Sequence, residues 1–381
     1  MRPLVAILLA AIASPALASP ADPIGQAAAR AMAAARAMAA THANGLAIAT
    51  IDHGRVTAVR AFGARNAKGD PLTRDTVMYG ASLTKAVVGY LTTQLAAERR
   101  IDLDRPIAAM LPHPIASYGN LDAYGHWGDL AGDPRLQAIT PRMVLTHSTG
   151  FANFAFLEPG GKLKIHFTPG SRYAYSGEGL MLLQFGLERG LGLDLQSELQ
   201  RRLFGPLGLR HTGLVWRPDF AANLADGWDA DGKPQPHDER SRVRAAGSMD
   251  TSIADLATLI AGIARGHGLA PTWRARFARG TLPITSRQQF PTLLPDAPPA
   301  ERPKASAALG VIAFHGAQGA GWYKGGHDDI TANSVVCLER GRRCVVILSN
   351  DVRAEAAFPA IVRALLGDTG VPYRWEYGLP R

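Results

Sequence analysis

This chain is poor in sulfur, in lysine and in charge. Its 381 residues hold two cysteines, so a small disulfide-built scaffold is excluded. Two thiols without nearby histidines do not make the four ligands of a zinc site either. Charged residues are 19% against 47% hydrophobic, which excludes a disordered chain. The length supports a large core, in one large domain or two lobes. No G-x-S-x-G elbow occurs, which disfavours an α/β-hydrolase triad. No P-loop and no G-x-G-x-x-G after a strand occur, which disfavours nucleotide chemistry. The net charge is +9. The basic residues are scattered, without a long run or interleaved aromatics, so no nucleic-acid partner is expected. The charge reads as solvated faces and at most a general attraction to an acidic cell surface.

The chain begins Met1-Arg2-Pro3, then runs apolar from Leu4 to Ala13, then reads Ala16-Leu17-Ala18. A basic start, a short apolar core and a small-x-small site predict a signal peptide over 1–18, cut after Ala18. The apolar run is too short to span a bilayer, and no other stretch is long and apolar enough. A periplasmic or secreted protein is expected, with one large domain over 19–381. There, Cys337 and Cys344 flank a turn at Arg340-Gly341 that sets them opposite one another. An oxidising compartment makes a cross-strand disulfide the favoured outcome, with two buried thiols as the alternative.

What the chain does have is Tyr79-Gly80-Ala81-Ser82-Leu83-Thr84-Lys85-Ala86-Val87-Val88-Gly89-Tyr90. It reads as a loop entering a helix that runs to about Arg100. Of seven lysines, only Lys85 has a serine three residues before it. Positions i and i+3 share a helix face, so the two side chains can touch. Serine needs a neighbouring base, and a buried lysine can be held neutral enough to serve. The helix start also favours a developing oxyanion. Read alone, the pair is equally an N-cap serine and a surface lysine.

Along the chain, 22–42 is alanine-rich and reads as helix. Leu46–Ile51 and Val56–Ala61 form a hairpin. Residues 113–137 read as a surface excursion, and 141–147, 179–188, 195–203 and 252–265 as helices. A loop with six prolines covers 283–304. Strands are expected over 309–314, 333–338 and 343–349, and an amphipathic helix over 354–366. Strands at both ends with helices between imply an α+β fold: an antiparallel sheet flanked by helices, with an inserted helical lobe. The sheet lobe would comprise about 22–80 and 245–381, and the helical lobe about 81–244. Ser82 would sit in the cleft between them.

Other candidates stand at loops. Tyr175 lies two residues before Gly177, at a helix start, and could act as a base if positive neighbours lowered its pKa. Lys324-Gly325-Gly326 opens the 333–338 strand region, and glycines there let a ligand approach the backbone. His327-Asp328-Asp329 is a single short cluster, so no metal is expected. His147 and Asp255 read as structural.

Together, Ser82-x-x-Lys85, Tyr175-Ser176-Gly177 and Lys324-Gly325-Gly326 resemble the three motifs of the serine β-lactamase and penicillin-binding-protein superfamily. Their order and spacing are similar to class C β-lactamases, D-alanyl-D-alanine carboxypeptidases of that type and related esterases. The resemblance covers roughly 24–366. It implies that Ser82 forms an acyl-enzyme, that Lys85 and Tyr175 share the proton work, and that Lys324 holds Tyr175 as phenolate or binds a substrate carboxylate. It places the oxyanion hole at the backbone N–H groups of Ser82 and His327, with Gly177 and Gly326 lining the site and no cofactor. Two departures stand out: Gly177 where Asn is common, and Gly325 where Thr is frequent. They imply an altered substrate pocket and weak turnover of acylamino-β-lactams. The expected function is a secreted acyl-serine hydrolase, of D,D-peptidase, D-amino-acid peptidase or esterase type. Its partner is a small-molecule, peptide or ester substrate, with peptidoglycan fragments in scope. A class C-like β-lactamase and a penicillin-binding receptor with little turnover are the alternatives.

Overall fold

The computed structural model describes residues 33–34 and 36–378. The proposed signal peptide and most of the alanine-rich segment lie outside the described residues. Of that segment, residues 36–41 are helical.

An eight-stranded antiparallel sheet forms the centre. Its strands are β1 (Gly45–Asp52), β2 (Arg55–Gly63), β5 (Leu282–Pro283), β6 (Ala305–Ala307), β7 (Ile312–Gly316), β8 (Gly319–His327), β9 (Ala332–Leu338) and β10 (Arg343–Ser349). They lie in the order β2-β1-β10-β9-β8-β7-β6-β5. The strand at the front of the chain therefore pairs with the last one, Ala47 opposite Leu348 and Ile51 opposite Cys344. Two further strands, β3 (Met78–Ala81) and β4 (Met249–Thr251), pair apart from the sheet.

The central strands are apolar on both faces because both are covered. Ala47, Ala49, Val335, Val346 and Leu348 face one core, with helix α1 (Leu83–Ala97) and helix α4 (Ile253–Arg265). Leu46, Ile48, Val336, Val345 and Ile347 face the other, with helix α6 (Phe358–Leu366). Ser252 caps α4, its side chain accepting from the Asp255 N–H. Cys337 and Cys344 are register partners on β9 and β10, joined by a disulfide. Among the described residues no helix is long and apolar enough to cross a membrane.

Several expectations needed correction. Lys324-Gly325-Gly326 does not open β9; it lies within β8, a strand whose four glycines hide its extended propensity. The 113–137 stretch is not simply a surface excursion, because Ile115, Trp127, Leu130 and Leu136 are buried in the helical core. The proline-rich loop begins with strand β5. Two short helices went unread: α5 (Pro271–Ala278) and α7 (Tyr373–Tyr377). After the short helix α2 (Pro141–Leu145), helix α3 starts at Gly177 and ends at Phe185, followed by a wider turn, Gly186–Gly190.

Candidate active site

Four distant pieces of chain meet over the start of α1. Ser82 occupies the N-cap position, yet its side chain makes no capping bond. Instead Lys85 Nζ donates to Ser82 Oγ at 2.9 Å. Lys85 is 1% exposed, so it is no surface lysine, and Nζ also donates to the Ala246 carbonyl. Burial drives its pKa well down, and the Lys324 charge adds to that. Ala81, just before the serine, holds a left-handed backbone at φ 46°. The Thr84 hydroxyl donates to the Ala81 carbonyl at 2.6 Å and accepts from the Met249 N–H at 3.0 Å. The nucleophile's turn is thus pinned to β4, a strained conformation fixed by its surroundings.

Tyr175 comes from the segment that precedes α3. Lys85 Nζ stands 4.9 Å from its ring centre, and Lys324 Nζ 5.2 Å. Burial raises its pKa, partly offset by the nearby Ser82 hydroxyl. That direction favours the protonated phenol, opposite to the lowering that positive neighbours would produce. The His147 ring lies 4.4 Å from the Tyr175 ring, and its Nδ1 accepts from the Ser176 N–H at 3.1 Å. Burial, then Lys85 and Lys324, push His147 well down, so it supports Tyr175 as a neutral ring.

Strand β8 brings the opposite wall. Lys324 is 4% exposed, and its Nζ donates to the Gly325 carbonyl at 2.5 Å. Burial lowers its pKa to about 8, with Glu376 resisting. A Cβ built on Gly326 would stand 2.9 Å from Leu83 N and 3.1 Å from Ser82 N. β8 thus lies directly against the first amides of α1, and His327 is the next residue along it. His327 Nδ1 is within 2.7 Å of Glu355 Oε2, and Asp328 Oδ1 accepts from the Ile330 and Thr331 N–H groups. Two of the three side chains of His327-Asp328-Asp329 are thus engaged locally. Asp255 accepts from the His211 N–H and the Thr212 hydroxyl, away from the cleft.

The cleft holds about 360 Å³. Besides the motif residues it is lined by Asn153, Phe154, Arg244, Gln289, Phe290 and Glu376, none of which sequence reasoning singled out. Glu376 sits on α7, is 5% exposed, and has Oε2 without a hydrogen-bond partner among the described residues. Burial raises its carboxyl above the usual range, while Lys324 and His327 hold it back. Its only sequence signal is a glutamate between aromatics in Tyr373-Arg374-Trp375-Glu376-Tyr377. A larger cavity of about 500 Å³, edged by arginines, carries no serine, cysteine, lysine or tyrosine.

An alcohol touching a buried amine of lowered pKa, a phenol beside both, and free amides at a helix start can together transfer an acyl group. Comparison with known proteins agrees in kind. The family model for Beta-lactamase matches residues 30–367. The chain is 28% identical over 211 residues to Lovastatin esterase of Penicillium rubens, covering 48% of this chain and 52% of that one. It is 28% identical over 205 residues to Esterase EstB of Burkholderia gladioli, covering 48% and 50%. To Monacolin J acid methylbutanoyltransferase of Aspergillus terreus it is 29% identical over 202 residues, covering 45% and 48%. The chain spans about half the length of the curated relatives it matches. Among solved structures, the D-alanine carboxypeptidase AmpC from Burkholderia cenocepacia superposes with TM-score 0.70 at 17% identity, covering 91% of this chain and 99% of that one. That likeness shows the fold.

Proposed function

The chain belongs to the Beta-lactamase family, and from that premise we propose that it is an acyl-serine hydrolase acting on esters or peptide-like amides through Ser82. The observation that carries this reading is the 2.9 Å contact between Ser82 Oγ and the buried amine of Lys85. In the proposed sequence, neutral Lys85 takes the Ser82 proton as Oγ attacks the acyl carbon. The oxyanion is held by the Ser82 and His327 N–H groups, each worth about 2.7–4 kcal/mol in the transition state. Tyr175, protonated, passes its proton to the leaving group and recovers one from Lys85. Water then releases the acyl group along the same proton path.

Ester substrates lead within this reading. Esterase and acyltransferase names attach to relatives matched over about half of this chain, and Gly177 leaves no side chain to grip a peptide amide from the second motif. D,D-peptidase and β-lactamase activities are the other arms of the test. Purified protein is assayed with 4-nitrophenyl esters, a D-Ala-D-Ala peptide and nitrocefin, beside fluorophosphonate labelling. Ester turnover with label on Ser82, both lost in Ser82→Ala, is the expected result. Labelling without turnover of any substrate would replace the enzyme by a receptor. We further propose export; N-terminal sequencing of the secreted protein should begin at Ser19.

A further inference from the structure

Glu376 is a buried acidic side chain that lines the cleft together with Lys324 and Ser82. It is not an incidental neighbour. A Cβ built on Gly325 would fall 2.1 Å from Glu376 Oε1 and 2.1 Å from the Tyr377 hydroxyl. The motif position next to Lys324 is therefore glycine because α7 fills that space with a carboxylate and a phenol. The glutamate is held in place from its other side as well. Gln289 Nε2 lies 3.4 Å from Oε1, the Tyr173 hydroxyl donates to Gln289 Oε1 at 2.8 Å, and the Gln289 N–H donates to the Trp375 carbonyl at 2.9 Å.

The charge balance of the cleft follows. Lys324 would be a receptor for a substrate carboxylate if it were the only charge at this depth. Glu376 cancels it. Of the other titratable groups lining the cleft, Lys85 is the buried base, His327 is paired with Glu355, Asp328 accepts from the Ile330 and Thr331 N–H groups, and the Arg244 side chain is solvent-exposed, where water screens it. A carboxylate entering toward Ser82 would lose hydration and meet a buried acid oxygen that has no donor to spare.

We propose that Glu376 is a specificity-determining residue that makes this cleft select uncharged acyl donors and reject donors carrying a carboxylate near the scissile bond. This rests on the hydrolase reading of Ser82 and names its substrate class. It sets aside the role of carboxylate receptor for Lys324 that the family resemblance implied.

The test compares two esters of similar size, 4-nitrophenyl butyrate and mono-4-nitrophenyl succinate, at pH 7.5, each corrected for spontaneous hydrolysis. Wild type should favour the butyrate at least tenfold in kcat/KM. Glu376→Gln, which keeps the shape and removes the charge, should shrink that ratio at least fivefold. A ratio near one in wild type, or one unmoved in Glu376→Gln, overturns the proposal while leaving the hydrolase reading intact. Wild type inert toward both esters, with Ser82 unlabelled by fluorophosphonate, overturns both. A measurement without any variant guards against misfolding. Phenylboronic acid should bind wild type at least tenfold more tightly than 3-carboxyphenylboronic acid, and equal binding counts against Glu376.

Discussion

The ring of Phe154 stands where any side chain on residue 177 would have to go. A Cβ built on Gly177 meets Phe154 Cε1 at 2.4 Å and Cζ at 2.5 Å. The Gly177 N–H in turn donates to Asn153 Oδ1 at 2.9 Å. The glycine of the second motif and the neighbouring aromatic fit together, the ring filling the space a side chain at 177 would take.

Gly177→Asn should therefore cost about 1–3 kcal/mol by overpacking. Combined with Phe154→Ala, part of that cost should return, giving a coupling energy of about 0.5–3 kcal/mol. Urea unfolding of the two single variants and the double variant measures it. Strict additivity would mean that the ring and the glycine are independent.

Lys85→Arg keeps a cation beside Ser82 but never yields a neutral amine. Ester turnover should fall by about 10²–10⁴-fold, the range for lost general base catalysis. A variant retaining more than a tenth of wild-type kcat would exclude Lys85 as the base.

The same lysine fixes the sign of the pH profile. Its neutral form is the active one, so acylation rises with pH through its depressed pKa and then levels. Lys324 is among the causes of that depression. Lys324→Met should let the Lys85 pKa climb, moving the acid limb of the profile to higher pH. Movement to lower pH, or none, would contradict the coupling. Stability carries the same sign. With Lys324 at about 8 when folded and about 10.4 when unfolded, the unfolded chain binds the extra proton between those values. Wild type should therefore gain stability relative to Lys324→Met as pH rises from about 8 to about 10.4, and lose that gain as pH falls back across the same window. Chemical denaturation across the window reads it.

The disulfide ties partners seven residues apart in sequence on neighbouring central strands. Its loop-closure contribution is about 2–3 kcal/mol. Replacing Cys337 and Cys344 together by alanine should lower the melting temperature by several degrees, with ester kinetics little changed. An unchanged melting temperature would show that the strand pairing alone sets that stability.

The sheet at both ends of the chain was legible because its strands are apolar, β-branched runs bounded by turn residues. Ser82 and Lys85 were legible because their pairing is local: one turn of helix brings them together. Tyr175 and Lys324 depend on long-range packing; their loop positions marked them only as candidates, and the family pattern supplied their roles. β8 escaped notice because Gly319, Gly321, Gly325 and Gly326 mask its pairing tendency. Glu376 could not be found at all, because nothing in a five-residue helix near the end of the chain says that it folds back over the motif lysine. Trp127 and its neighbours were assigned to the surface from their glycines and aspartates, whereas the indole they carry goes inward.

The pairing of β1 with β10 has a consequence for biogenesis. The Ser349 hydroxyl donates to the Gly45 carbonyl across 304 residues of sequence. A nascent chain that has emerged only as far as the six-proline loop holds β1 and β2 as a lone hairpin, with no β10 to dock on and no β8 to close over Ser82. Such a hairpin is marginal in water. Assembly of the sheet must wait until nearly the whole polypeptide has left the ribosome, so the cleft stays unformed for as long as the chain is being made.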